Sequence, residues 1–218
     1  MIFKEFPKIA RLSREIIITE KIDGTNSSVF IQSAALEEGS NPEIIENVNG
    51  LTVRAGSRTR WVTPTDDNKG FARWVKENAE ELVKLGEGHH FGEWWGNGIQ
   101  RGYNLPRGDK RFSLFNAGRW RINSFEEKGF ECPPKCCSVV PVLYTGIFDT
   151  NAIQDTLNEL IEHGSYAAPG FMNPEGIVIY HIAGNLGFKK TIKNDDRLSI
   201  NPYPLCSIID KQIISIRL

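Results

Sequence analysis

An apolar run, Ile16-Ile17-Ile18-Thr19, leads straight into Glu20-Lys21-Ile22-Asp23-Gly24-Thr25-Asn26. The run reads as a buried strand. A lysine at its end, followed by Asp-Gly, sets one amine at the mouth of a tight turn, where Gly24 lets the backbone reverse and a ligand approach. Taken alone, these residues describe either a strand closed by an Asp-Gly turn with an incidental lysine, or a lysine presented for chemistry.

A chain of 218 residues is expected to form one compact domain, or one domain with a small appendage. Its 40% hydrophobic and 24% charged residues are those of an ordinary soluble globular protein. With Lys+Arg at 26 and Asp+Glu at 27, no global basic excess exists, so any nucleic-acid contact rests on local patches. Arg54, Arg58 and Arg60 form one such patch, and Arg101, Arg107, Lys110 and Arg111 another; each reads equally well as solvated surface. The opening Met1-Ile2-Phe3-Lys4-Glu5 does not read as a signal peptide, so none is expected, and no apolar run approaches the roughly 20 residues of a membrane span. These features point to a cytoplasmic chain with reduced thiols and no membrane partner. Cys132-x-x-x-Cys136-Cys137 invites a zinc reading, but no second pair follows at ligand spacing and His163 and His181 stand apart, so ordinary thiols are expected. Cys206 is the fourth cysteine.

Ser28-Val29-Phe30-Ile31 is expected to return antiparallel to the first strand, and Leu51 to Arg54 to begin another beyond the turn signals Asn41-Pro42 and Asn49-Gly50. Phe71, Trp74, Val75, Leu82 and Val83 recur at helical spacing, with Asp66 or Asp67 to cap the start and Gly86 to stop it; Trp74 belongs to the core of that pattern. His89 to Gly96 reads as a strand in which Glu93 shares a face with Phe91 and Trp95, while Gly92 leaves the other face open. A glutamate among aromatics needs a partner or a cleft. Further strands are expected at Arg111–Asn116, 139–144 (with Pro141 at an edge or connection), 175–180, 186–191 and Ile208–Ile216, with a second helix over 151–163 ended by Gly164. Strands outnumber helices and fall in hairpin-like pairs, so the expected class is α+β, with mainly antiparallel sheets and flanking helices.

Six segments in order add chemistry to this frame: Lys21-Ile-Asp-Gly, Arg54-Ala-Gly-Ser-Arg58, Phe91-Gly-Glu93-Trp, Phe112-Ser-Leu-Phe115-Asn, Glu175-Gly-Ile-Val and Phe188-Lys189-Lys190-Thr191. Together they resemble the motifs of the covalent nucleotidyltransferases (RNA ligases, DNA ligases and mRNA-capping enzymes), and the ending Thr25-Asn26 is most similar to RNA ligases. The resemblance runs from about residue 3 to 197. It implies an ATP-grasp-like nucleotidyltransferase domain in which Lys21 attacks the α-phosphorus of ATP and carries AMP as a phosphoramidate. The amine must be neutral to attack, so burial and nearby positive charge are expected to favour its unprotonated form. The family's roles fall on Arg58 for phosphate, Glu93 for the ribose hydroxyls, Phe115 for stacking on adenine, Glu175 for metal and phosphate chemistry, and Lys189 for the α-phosphate. Glu20 is placed to accept from the adenine 6-amino group, a donor that guanine lacks. Ile22 and Asn26 complete the expected nucleotide pocket. Magnesium, or manganese in its place, is implied by the triphosphate chemistry.

In the commoner form of the last motif two lysines are separated by one residue and share a strand face; here that second position is Thr191, and Lys190 points the other way. Lys189 therefore either acts with Thr191, or Lys190 or Lys193 contributes through a shifted register. The leading expectation is an ATP-dependent RNA ligase that binds ATP and RNA with 5′-phosphate and 3′-hydroxyl ends. DNA ligation, GTP-dependent capping and a catalytically silent nucleotide- or RNA-binding module are the competitors. Some 25 residues follow the last motif, too few for the appended OB-fold or helical domain of larger ligases. The expectation is thus one adenylyltransferase domain over 1–218, gripping RNA weakly unless a partner protein or a second copy adds surface.

Overall fold

Period-two alternation, not uniform burial, shapes the first strand. In the computed structural model, which describes residues 6, 8–36, 41–120, 131–193 and 195, β1 (Glu15–Lys21) buries Ile16, Ile18 and Glu20 on one face and holds Ile17, Thr19 and Lys21 half-buried on the other. There follow β2 (Thr25–Ser33), β3 (Glu46–Val48), β4 (Leu51–Ser57), β5 (Trp61–Val62), α1 (Phe71–Glu77), α2 (Ala79–Leu82), β6 (Gly88–Gly96), β7 (Lys110–Leu114), β8 (Cys137–Val139), β9 (Val142–Ile147), α3 (Thr150–His163), β10 (Gly176–His181) and β11 (Leu186–Thr191).

These strands make two sheets, one ordered β11-β10-β1-β9 and one ordered β3-β4-β2-β6-β7-β8, with β5 added beside β4. Among the described strands every pair is antiparallel except β7 with β8. The class is α+β with mainly antiparallel sheets.

The expected hairpin between the first two strands does not form. β1 pairs with β9 and β10, whereas β2 pairs with β4 and β6. The Ile22–Gly24 turn therefore carries the chain from one sheet to the other, and whatever it presents stands at their junction. The apolar segment 139–144 also divides: β8 is an edge of the larger sheet, β9 an edge of the smaller, and Pro141 sits between them with its carbonyl accepting from Glu20 N–H at 2.9 Å.

The expected first helix breaks at Asn78, whose φ of −113° and ψ of 13° interrupt the run between α1 and α2. Gly70 occupies the N-cap position with φ 87°, and Asp67 still serves the helix start by accepting from the N–H groups of Ala72 and Arg73. Trp74 packs with Phe71, Trp94 and Phe112 against the large sheet, as its spacing suggested. In α3, Asp149 accepts from Asn151 N–H at the N-cap and Gly164 follows the last turn with φ 80°.

Two apolar cores result. The larger joins the β2, β4, β6 and β7 face with α1 and α2, and includes Val29, Val53, Phe71, Leu82, Trp94 and Phe112. The smaller consists of Ile16, Ile18, Ile177 and Ile179 against Leu157 and Leu160 of α3. The expected strand Ile208–Ile216 and Cys206 lie outside the described residues.

Candidate active site

β1 and β10 pair with Lys21 opposite Gly176. That register puts Glu175, one residue before β10, beside the lysine although 154 positions separate them, and Lys21 Nζ lies 2.7 Å from Glu175 Oε2. Their side chains are 25% and 18% exposed, so the pair is shielded yet reachable. Gly176 permits the arrangement: a Cβ there would stand 2.2 Å from the Lys190 carbonyl oxygen of β11.

Beyond Lys21 the turn lies against β6. The Gly24 N–H donates to Glu93 Oε1 at 3.0 Å, and Asn26 Nδ2 donates to Glu93 Oε2 at 3.0 Å. Gly24 is needed for this contact rather than for a left-handed backbone or for ligand approach, because a Cβ would fall 2.5 Å from the Trp94 carbonyl oxygen and 2.8 Å from Trp95 Cβ. Gly92 does not open a ligand face either: the Ser113 carbonyl and the Phe112 ring occupy the space its Cβ would take. Burial pushes the Glu93 carboxyl up to about 7, against the pull of Lys21 and the Gly24 N–H, and Glu175 and Asp23 push it in the same upward direction. Carboxylates thus crowd one amine, a donor set that suits a hard divalent cation. Among the described residues no three such donors converge to hold one unaided, so phosphate oxygens and water would have to complete its shell.

On the smaller sheet, Thr19, Val178 and Lys189 stand in register, as do Lys21, Gly176 and Thr191, so Lys189 and Thr191 share the face of Lys21. Lys190 pairs with Ile177 on the α3 face and makes an ion pair with Asp195 at 3.6 Å. On the larger sheet, Arg58 lies in the bend just past the Ser27–Ser57 pair that ends the β2–β4 ladder, and is exposed. Arg54 is buried, its guanidinium 5.6 Å from the Phe30 ring centroid and 5.9 Å from that of Trp61. Phe115 follows β7, bonds through its N–H to the Phe91 carbonyl, and leaves its ring 41% exposed.

Two expected contacts are corrected. Glu20 is 1% exposed and faces α3, where Oε1 accepts from Ser165 Oγ at 2.6 Å and Oε2 from the N–H groups of Tyr166 and Ala167 at 2.8 and 2.9 Å. Alternation put it on the opposite face from Lys21, so its carboxylate anchors the 165–167 turn instead of reading adenine. Ile22 is 3% exposed within the larger core, which leaves only its backbone for a nucleotide.

The second basic patch is largely paired within the chain. Arg101 binds Asp23, Arg111 binds Asp109, and Lys110 donates to the Lys69 carbonyl. Sequence reasoning missed that Arg101 Nε reaches Asp23 Oδ2 at 2.7 Å, and that Tyr103 OH accepts the Asp23 N–H at 2.6 Å. Both come from a loop about 80 positions downstream of the turn, and nothing in their local spacing signals that return. Cys136 and Cys137 lie side by side with sulfurs 3.9 Å apart. No described helix is long and apolar enough to cross a membrane.

The arrangement presents one amine beside a carboxylate at the junction of the two sheets, with Lys189 on the same strand face. That is a geometry for attack on a bound polyanion. A family model described as RNA ligase matches residues 14–194. Among solved structures, the chain is similar to Naegleria gruberi RNA ligase. It matches one variant with ATP and Mn at 18% identity and a TM-score of 0.51, and another with AMP and Mn at 18% and 0.50; each match covers 83% of this chain and 50% of that chain. At such identity the likeness is one of fold, and this chain spans about half the length of those structures. No curated protein matches it.

Proposed function

This chain belongs to the RNA ligase family, and from that premise we propose that it is an ATP-dependent RNA ligase working through a lysyl-AMP intermediate. The observation that carries the reading is the 2.7 Å Lys21–Glu175 pair at the junction of the two sheets. Lys21 Nζ, once deprotonated, attacks the α-phosphorus. A P–N bond forms, the bond to the bridging oxygen of the β-phosphate breaks, and pyrophosphate leaves in line. Lys189, on the same strand face as Lys21, neutralises the α-phosphate, while Arg58 serves the phosphates from the opposite sheet. Glu93, already fixed by Gly24 and Asn26, accepts from the ribose hydroxyls, and Phe115 offers a ring to the base.

Glu175 would hold magnesium or manganese together with the triphosphate; the cation supplies charge neutralisation to the leaving group. Drawing Glu175 toward a cation would also release the amine from its ion pair. In the second step an RNA 5′-phosphate oxygen displaces Lys21 from the adenylate phosphorus. In the third a 3′-hydroxyl attacks the 5′-phosphorus, forming the phosphodiester and releasing AMP. Intact-mass measurement after incubation with ATP and magnesium tests the first step: one AMP adduct is expected on the wild type and none on Lys21→Ala. An adduct that survives that substitution would remove Lys21 from the role.

A further inference from the structure

The β1–β10 ladder brings Lys21 and Glu175 together but ends at the Lys21–Gly176 pair, and neither side chain fixes the segment beyond it. Asp23 lies two positions after the lysine and Pro174 one position before the glutamate. One guanidinium holds both: Arg101 Nε donates to Asp23 Oδ2 at 2.7 Å, while Nη1 donates to the carbonyls of Asn173 at 2.8 Å and Pro174 at 3.1 Å. From the same loop, Tyr103 OH accepts the Asp23 N–H, and its ring is wedged between Trp95 (centroids 5.0 Å apart) and Phe171 (4.6 Å). The loop bears a cost for this shape. Gln100, Tyr103 and Asn104 adopt φ of 44°, 53° and 54°, and Gly102 has φ 67°. Non-glycine residues in that region cost roughly 1 kcal/mol or more each and persist where surroundings over-determine them.

We propose that Arg101 is a positioning residue for adenylyl transfer, tying the Lys21–Gly24 turn to the strand entry that carries Glu175 and so setting the distance between nucleophile and carboxylate. The inference rests on the ligase reading. The three acceptors call for a planar, forked donor: Nε points to the carboxylate while Nη1 spans two successive carbonyls. A lysine offers one compact ammonium that cannot serve both segments. The Arg101 and Asp23 side chains are 23% and 27% exposed, and the bonds they make are confined to the turn after Lys21 and the 173–174 segment, so their removal should loosen the site more than the fold.

The test compares single-turnover formation of the AMP adduct in the wild type, Arg101→Ala, Arg101→Lys and Asp23→Asn, each with its KM for ATP and its melting temperature. Misplacement of reacting groups by about 1 Å costs on the order of 100-fold in rate. Arg101→Ala is therefore expected to fall toward that extent at saturating ATP, with KM and melting temperature close to wild type. Arg101→Lys should recover little, whereas added methylguanidinium should recover part of the Arg101→Ala loss and urea at the same concentration none. The Arg101→Ala, Asp23→Asn double variant should be no slower than the slower single one, because both break one tie. An unchanged rate in Arg101→Ala, or a loss that only follows the unfolded fraction, would overturn the proposal while leaving the ligase reading intact. A wild type that never forms the adduct would overturn the ligase reading, and this inference with it.

Discussion

Two buried carboxylates lie beside Lys21, the proposed nucleophile: Glu20 and Glu93, whose environments give them opposite duties. Both are driven toward the neutral form by burial, but Glu20 is enclosed by three donors that belong to a single turn. Removing it leaves those donors buried without an acceptor, which costs about 1–3 kcal/mol. Glu20→Ala should therefore lower the unfolding free energy measured by urea titration by that amount and leave the preference for ATP over GTP intact in the folded fraction. A lost preference without a stability change would return the side chain to the nucleotide. Glu93 sets a pH dependence. Its folded-state value of about 7 exceeds the ordinary 4.5, so the native state binds the proton more tightly than the unfolded chain does. The associated stability is complete below about 4.5 and is lost as pH climbs through about 7, by on the order of 3 kcal/mol. His90 acts in reverse: burial lowers it from 6.5 to about 4, so its contribution is present above 6.5 and lost on acidification. Above pH 6.5 Glu93 thus dominates, and wild-type stability should fall there while Glu93→Gln stays flat. A wild-type curve that rises across that range would refute the assignment.

At the scale of elements, strand parity separates two adjacent lysines and so decides which of them the proposed mechanism can use. Lys189 shares the Lys21 face and Lys190 the α3 face, so Lys189→Ala should depress adduct formation far more than Lys190→Ala. The reverse ranking in a labelling assay would mean that Lys190, not Lys189, meets the phosphate. This parity was legible in advance because alternation in a strand is local. So were α3, whose Asp149 cap and Gly164 stop lie within its own segment, and the pairing of β10 with β11, joined by a short turn. What was not legible depends on contacts far along the chain. Asp-Gly after β1 has the composition of a hairpin turn, yet β2 turns away because its apolar Val29 and Ile31 fit the larger core. Asn78 breaks a helix whose apolar spacing runs on past it. The Glu20 carboxylate met a turn 145 positions away, and the Arg101 guanidinium one 78 positions back. Side-chain type gave no hint of either partner.

Across the whole molecule, the proposed nucleotide site is shared by two sheets of unequal support. Among the described residues, six, Ile16, Ile18, Leu157, Leu160, Ile177 and Ile179, make the buried core of the smaller sheet. The larger sheet closes on a far bigger cluster that includes Phe71, Trp94, Trp95 and Phe112. At roughly 25 cal/mol per Å² of apolar area, the smaller unit has much less burial to offset the entropy of its ordering, so it should open first. Among the described strands β11 is moreover at the sheet's edge, with Leu186, Phe188 and Lys189 exposed. Hydrogen exchange is therefore expected to be faster for the amides of β10 and β11 than for those of β2 and β6. A nucleotide held between Lys189 and Glu175 on one sheet and Glu93 and Asn26 on the other would bind only when both are ordered. Ligand at 100 times its Kd stabilises the binding-competent state by about 2.7 kcal/mol. ATP with magnesium should accordingly slow exchange in β10 and β11 by on the order of 100-fold, and leave the slowest amides of β2 and β6 little changed until global unfolding limits them. The covalent adduct should keep that protection after free ATP is removed, whereas Lys21→Ala should lose it on the same wash. Equal exchange in both sheets without nucleotide, or protection confined to the larger one, would contradict a site built across the junction.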